Sequence, residues 1–144
     1  MMLPLNTCGY KSVNKEIKYF ITEVNVNGKK RLANQLKQEI MLGSINNTKN
    51  TISVSLEVDK SKQIKDRDSS GTITSYYLIV TAKVNIEELQ TSKKIIKSFV
   101  KSATYGVSST PSATIANEKK STENMIVVLG EDINNFLNFH YIEK

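Results

Sequence analysis

Every second residue is apolar in two stretches near the middle of the chain. In TISVSLEVDK (51–60) apolar residues alternate with polar ones, and in ITSYYLIVTAKVNIEEL (73–89) the alternation runs from Tyr76 to Ile86. Alternation over this length predicts strands that bury one face. The polar segment between them (61–72) contains a glycine and predicts a turn, so the two strands form one long hairpin.

Two other stretches have helical spacing. In KKRLANQLKQEIML (29–42) leucine or isoleucine recurs every fourth residue, and Gly43 stands where a helix C-terminal glycine belongs. From about Ile115 to His140 a second apolar stripe predicts a longer helix. The segment IKYFITEVNVN (17–27) is rich in β-branched and aromatic residues and ends at an Asn-Gly turn signal, so it predicts a first strand.

The segment KKIIKSFVKSATY (93–105) is ambiguous. Its apolar residues follow helical spacing with lysines opposite, whereas its β-branched and aromatic content also permits a strand. The pattern alone leaves both open. The order of the elements nevertheless indicates an α/β sandwich, with helices packed on one face of a small sheet.

Size and composition favour a single domain with an anionic partner. The chain has 144 residues and 39% hydrophobic content, and no run approaches the roughly 18 apolar residues of a membrane-spanning helix. Its formal charge is +6, and 18 of the 20 basic residues are lysine. Lysine acts as a mobile point charge towards phosphates, so the charge favours an anionic ligand more than a sequence-reading one.

Catalytic and metal-binding patterns find little support. The single histidine, His140, continues the apolar stripe of the last helix and is interpreted as a core-edge residue. The stretch DRDSSG (66–71) matches the first half of a calcium-binding loop, but Tyr77 stands where the bidentate carboxylate is needed. We therefore expect no enzyme, no metal and no cofactor.

Basic residues gather in three places. Taken singly, each is best explained as solvated surface, but as a set they are suited to multivalent phosphate. The groups are Lys60, Lys62, Lys65 and Arg67 near the hairpin turn, Lys119 and Lys120 near the last helix, and Lys93, Lys94, Lys97 and Lys101.

The single cysteine, Cys8, excludes an intramolecular disulfide. It is either a free thiol or a lipid attachment point, because bacterial lipoproteins are cleaved before a cysteine that follows a short apolar motif. Here the motif is LNTC (5–8), but only MMLPL precedes it, whereas a signal peptide needs about 7–15 apolar residues. The lipoprotein interpretation therefore requires a start codon assigned late or a trimmed N-terminus.

The order of these features resembles the LPS-assembly lipoprotein family LptE over essentially the whole chain. The resemblance is carried by CGY (8–10), RLANQLKQEI, SSGTITSYYLIVTAKVNI, KSFVKS and ATIANEKKSTENMIVVLGEDINNFL. It implies that 93–105 is a strand. The expected fold is then α+β, a two-layer α/β sandwich whose four-stranded mixed sheet carries two helices on one face, in the order β-α-β-β-β-α.

The resemblance also implies a division of the chain and a location. Residues 1–16 are expected to hold a signal-peptide remnant, a lipidated Cys8 and a flexible tether, and 17–144 to form the single LptE-like domain. The acylated cysteine is expected to anchor the protein to the periplasmic face of the outer membrane, where several acyl chains give stable attachment.

In that family the protein is not an enzyme. It plugs the β-barrel LptD one to one, helps the barrel assemble, and binds lipopolysaccharide. The family's basic residue at the hairpin turn falls on Ser69, a departure for which Arg67 is the nearest substitute, and its basic residue before the last helix falls on Lys119. We expect Arg67 and Lys119 to contact lipopolysaccharide, supported by Lys65 and Lys120, and we expect no nucleic-acid partner.

Two alternatives remain. A small cytoplasmic α/β domain that binds RNA phosphates through its lysines predicts no acylation and an affinity that falls steeply with salt. A barrel plug without lipid binding predicts that charge reversal at Lys119 leaves barrel assembly intact and changes no lipopolysaccharide affinity.

Overall fold

Four strands and two helices follow one another in the order β-α-β-β-β-α. A computed structural model describes residues 19–42 and 50–141 of the chain. The elements are β1 (Phe20–Gly28), α1 (Lys30–Leu42), β2 (Thr51–Arg67), β3 (Ile73–Glu88), β4 (Lys94–Gly106) and α2 (Pro111–Tyr141).

The strands form one mixed sheet in the order β1-β2-β3-β4. β1 pairs with β2 in parallel, and the other two pairings are antiparallel. Parallel neighbours need a crossover connection, which α1 supplies, whereas β2 and β3 are joined directly as a hairpin. The predicted α+β class and the order of elements are confirmed.

Both helices cover the same face of the sheet, and the core lies between the two layers. Alternate residues of β3 from Leu78 to Ile86 are fully buried, and so are alternate residues of β2 from Ile52 to Val58. Each fully buried aliphatic side chain contributes about 1.5–3 kcal/mol. The helices complete the core with Leu32, Ala33, Leu36, Ile40, Met125, Ile126, Leu129, Ile133 and Leu137.

The hairpin differs from its prediction. Residues 61–67 continue β2 as a strand, and the turn is confined to five residues starting at Asp68. There the Asp68 carboxylate accepts hydrogen bonds from the hydroxyl of Ser70, from the N–H of Thr72 and from the N–H of Ser70. These bonds lower the pKa of Asp68, although burial acts in the opposite direction. The turn is thus closed by its own side chains, as in a polar hairpin tip.

The structure also decides the conformation of 93–105 and the start of the last helix. The segment 93–105 is a strand, as the resemblance implied and against its helical spacing. The last helix begins at Pro111, four residues before the predicted start, because proline is well suited to a first helical position. The expectations for residues 1–16, including Cys8, and for Gly43 fall outside the described residues.

The second face of the sheet carries no helix among the described residues. On β4 this face exposes Ile96 (63%) and Val100 (57%). Neither described helix combines the length and the apolar character needed to cross a bilayer.

Candidate functional site

A groove of about 520 Å³ opens between the start of α1 and the first half of α2. Five of its side chains are basic, two are acidic, and Leu32 and Ile115 are apolar. Half of the chain's formal charge of +6 is therefore concentrated in this one groove. The lining residues are Lys29, Lys30, Arg31, Leu32, Gln35, Lys60, Ile115, Glu118, Lys119, Thr122 and Glu123.

A tight turn after β1 brings three consecutive basic residues to the rim. Gly28 has a φ of +78°, and a Cβ at this position would lie 2.8 Å from the backbone oxygen of Val58. Glycine is therefore required here for two independent reasons. The next residue, Lys29, donates its N–H to the same Val58 oxygen at 3.0 Å, so the position of the 29–31 run is fixed relative to β2.

The opposite wall is the first half of α2. Lys119 is exposed on this wall, and Ile115 lies one turn earlier with 67% of its side chain exposed. Thr122 is buried and donates its hydroxyl to the Glu118 carbonyl at 2.8 Å. Across the groove Leu32 is 8% exposed at the edge of the core. The groove therefore combines a cationic rim with apolar side chains on both walls.

The carboxylate of Glu118, which lines the groove, is contacted by two lysines and a tyrosine hydroxyl. Glu118 Oε1 accepts a hydrogen bond from Lys60 Nζ at 3.0 Å, and Glu118 Oε2 lies 3.6 Å from Lys62 Nζ and accepts from the Tyr105 hydroxyl at 3.0 Å. Burial opposes ionisation of Glu118, but the hydrogen bonds and the charges of the two lysines outweigh it and lower its pKa. Burial, followed by the contact with Glu118, raises the pKa of Tyr105.

This network divides the cations into two groups. Lys60 and Lys62 share the single negative charge of Glu118, whereas Lys29, Lys30, Arg31 and Lys119 make no ion pair with any residue of the described ranges. The second group is therefore the one available to an external anion.

The sequence-predicted site residues do not form one cluster. Only Lys119 lines the groove, and Lys120 is exposed outside it. Lys65 places its Nζ 5.3 Å from the centre of the Tyr77 ring. Arg67 donates from Nη1 to the Gly71 carbonyl at 2.9 Å, so it braces the hairpin turn.

The extended β2 strand separates Arg67 from the groove. Arg67 lies seven residues beyond Lys60 on the same strand, so the two residues are roughly 20 Å apart at about 3.3 Å per residue. A single phosphate cannot bridge Arg67 and the groove. Arg67 and Lys119, chosen together from the sequence, are thus parts of two separate surfaces.

The groove residues Lys29, Lys30 and Arg31 were missed by the sequence interpretation. Their signal is a run of three basic residues directly after Gly28, at the start of a predicted helix. Only the approach of α2 in the folded chain shows that this run faces Lys119.

The remaining catalytic candidate lies elsewhere. His140 is at the edge of the core near the end of α2, with Nε2 3.7 Å from Glu88 Oε1, and its ring packs on Phe136 and Tyr141. Within residues 19–42 and 50–141 no three His, Cys, Asp or Glu side chains converge as a metal site.

Comparison with known proteins gives structural relatives only. No protein-family model matches the sequence, and no curated protein matches it. The fold is similar to rare lipoprotein B from Shewanella oneidensis, with a TM-score of 0.65 and 10% identity over 84% of this chain and 97% of that one. It is also similar to a candidate lipoprotein from Caulobacter crescentus, with a TM-score of 0.61 and 15% identity over 86% and 92%. The chain shares their fold.

Proposed function

We propose that this protein is an outer-membrane lipoprotein that plugs and helps assemble an LptD-like β-barrel and binds lipopolysaccharide during its delivery. The observation that carries the proposal is the shared fold, because the two lipoprotein neighbours, whose folds are LptE-like, match this chain along most of their own length. The sequence order of CGY, hairpin and last helix supports the same assignment.

The distribution of charge supports the lipid part of the proposal. Lipopolysaccharide carries phosphates on an acylated core, and the groove offers cations that are not ion-paired within the described part of the chain, beside apolar side chains. Anionic, amphiphilic ligands are recognised by this combination of groups.

The exposed sheet face supports the barrel part. A sheet with helices on one side presents its other side as a broad surface, and here β4 contributes exposed Ile96 and Val100. Packing against the wall of a partner would cover these side chains.

The first experiment is the intact mass of the native protein extracted with detergent from its own membranes. We expect a chain that begins at Cys8 and is heavier by several acyl groups, and we expect the barrel to co-purify with it. Cys8→Ser is the matched variant and is expected to leave the membrane fraction. An unmodified chain in the soluble fraction would contradict the proposal and direct the lysine-rich surface to a test against RNA.

A further inference from the structure

We infer that the groove between the start of α1 and the first half of α2 binds the phosphorylated head of one amphiphile. Lys29, Lys30, Arg31 and Lys119 contact the phosphate, and the first carbons of the hydrocarbon lie against Leu32 and Ile115. The inference deepens the lipid-binding part of the proposed function and rests on it, because it names a site and the portion of the ligand held there.

Charge complementarity is the first support. The four cations come from both walls of one groove, and none is paired within the described part of the chain. Glu118 is paired with Lys60 and Lys62 and accepts a hydrogen bond from Tyr105. Its negative charge is therefore compensated and repels an incoming anion only weakly. Glu123 is the other lining carboxylate and is exposed. An incoming phosphate therefore meets a net positive surface.

The size of the groove limits what enters it. Its volume of about 520 Å³ lies within the roughly 300–1,000 Å³ of sites for small ligands. A phosphorylated sugar or glycerol head with the first segment of a chain fits this volume. A complete set of acyl chains does not, so most of the hydrocarbon stays outside the groove.

The apolar side chains of the groove favour an amphiphile over a free phosphate ion as its ligand. Ile115 lines the groove and is 67% exposed, and a phosphate ion offers no apolar surface to cover it. A ligand with a hydrocarbon segment covers it and gains from removing that surface from water.

The test compares charge-reversal variants in the full-length chain carrying Cys8→Ser, so that an attached acyl chain does not contribute. Binding of lipid A in detergent micelles, phosphatidylglycerol vesicles and inorganic phosphate is measured for each variant. Lys30→Glu with Arg31→Glu is expected to weaken lipid A binding about tenfold or more without lowering the melting temperature, because acidic residues are favourable in the first turn of a helix. The matched control is Lys93→Glu with Lys94→Glu, which makes the same change in net charge at two exposed lysines outside the groove.

Ile115→Ser tests the apolar part separately. It is expected to weaken lipid A binding and to leave phosphate binding unchanged. Equal losses in the groove variant and in the control would overturn the inference, since net charge alone would then explain them. Unchanged binding in both groove variants, with loss in Arg67→Glu, would overturn the groove and leave the proposed function intact.

The three ligands distinguish the source of the phosphate. Binding of phosphatidylglycerol but not lipid A, lost in Lys30→Glu with Arg31→Glu, supports the groove and contradicts lipopolysaccharide as its ligand. Binding of inorganic phosphate as tight as that of lipid A overturns the amphiphile and leaves a simple anion site. No binding of any of the three by the wild-type groove overturns the inference.

Discussion

Gly130 lies at a close contact between the two helices. A Cβ built on it would lie 2.6 Å from Cβ of Glu39 on α1, a separation that real side chains do not adopt. Within a helix glycine is less favourable than alanine by about 1 kcal/mol. The sequence shows this unfavourable residue without its reason, which is the packing of α1 against α2.

Gly130→Ala is therefore expected to destabilise the protein despite the better helix propensity of alanine. Overpacking a close contact costs about 1–3 kcal/mol, and over most of this range the cost exceeds the gain in propensity of about 1 kcal/mol. Chemical denaturation monitored by circular dichroism measures the difference in the free energy of unfolding. Gly106→Ala is the matched control, because no atom lies within 4 Å of the Cβ it would add. A stabilised Gly130→Ala variant would mean that the helices separate at this point without loss.

At the scale of elements, Glu118 connects three parts of the fold. It stands on α2 and receives hydrogen bonds from Lys60 on β2 and from Tyr105 on β4. Tyr105 in turn stacks on Tyr76 of β3, with ring centres 5.4 Å apart. The first half of α2 is thus fixed to the sheet by polar contacts as well as by the core.

This connection predicts a pH dependence of stability. Because the folded-state pKa of Glu118 is below its ordinary value of 4.5, its contribution is present above pH 4.5 and is lost as pH falls through the folded pKa. Wild type is expected to be more stable than Glu118→Gln at pH 7, and the difference is expected to shrink below pH 4.5. Urea denaturation across this range measures it, with Lys120→Gln as an exposed control on the same helix. A difference that stays constant with pH would exclude ionised Glu118 as its source.

The elements that were predicted well are those in which one face alone is buried. The alternation of β3 and the four-residue spacing of α1 both report a single buried side, and both match the structure. The sequence pattern of β4 is misleading because β4 is an edge strand of the described sheet. Ile96 and Val100 lie on the exposed face, whereas Lys97 faces the helices with its Nζ 4.2 Å from the centre of the Phe136 ring. Long lysine side chains reach solvent from such a position, so apolar and polar residues no longer alternate.

The second half of β2 was missed for the opposite reason. Residues 61–67 are exposed on both faces and are polar except for Ile64, so they carry no periodic signal. Their strand conformation comes from pairing with β3, which is a tertiary contact. The same error placed Lys60 and Lys62 at the hairpin tip, whereas in the fold they reach Glu118. The sequence pattern therefore could not show which of the lysines lie near Glu118, because that depends on which segments meet in the fold.

At the scale of the whole molecule, the sheet is covered unevenly. Up to Val58, β2 is flanked by β1 and β3 and lies beneath the helices, and its inward residues are fully buried. Beyond that point β1 ends, and β2 continues with β3 as its only neighbour in the described sheet. Residues 61–67 therefore form an arm, an edge segment that pairs with β3 alone in the described sheet and has no buried face.

Hydrogen exchange is expected to report this division. Amides of 52–58 are expected to open only when the whole protein unfolds. Those of 61–67 are expected to open locally, because among the described strands the arm has only β3 as a neighbour and it has no buried face. Exchange measured residue by residue by NMR is expected to be at least about tenfold faster in the arm. The central stretch of β3 (78–86), which has neighbours on both sides, serves as the slow reference. Equally slow exchange in the arm at several protein concentrations would show that its exposed edge is covered. A rate that slows only as concentration rises would identify a second copy as the cover, since only association between copies depends on concentration.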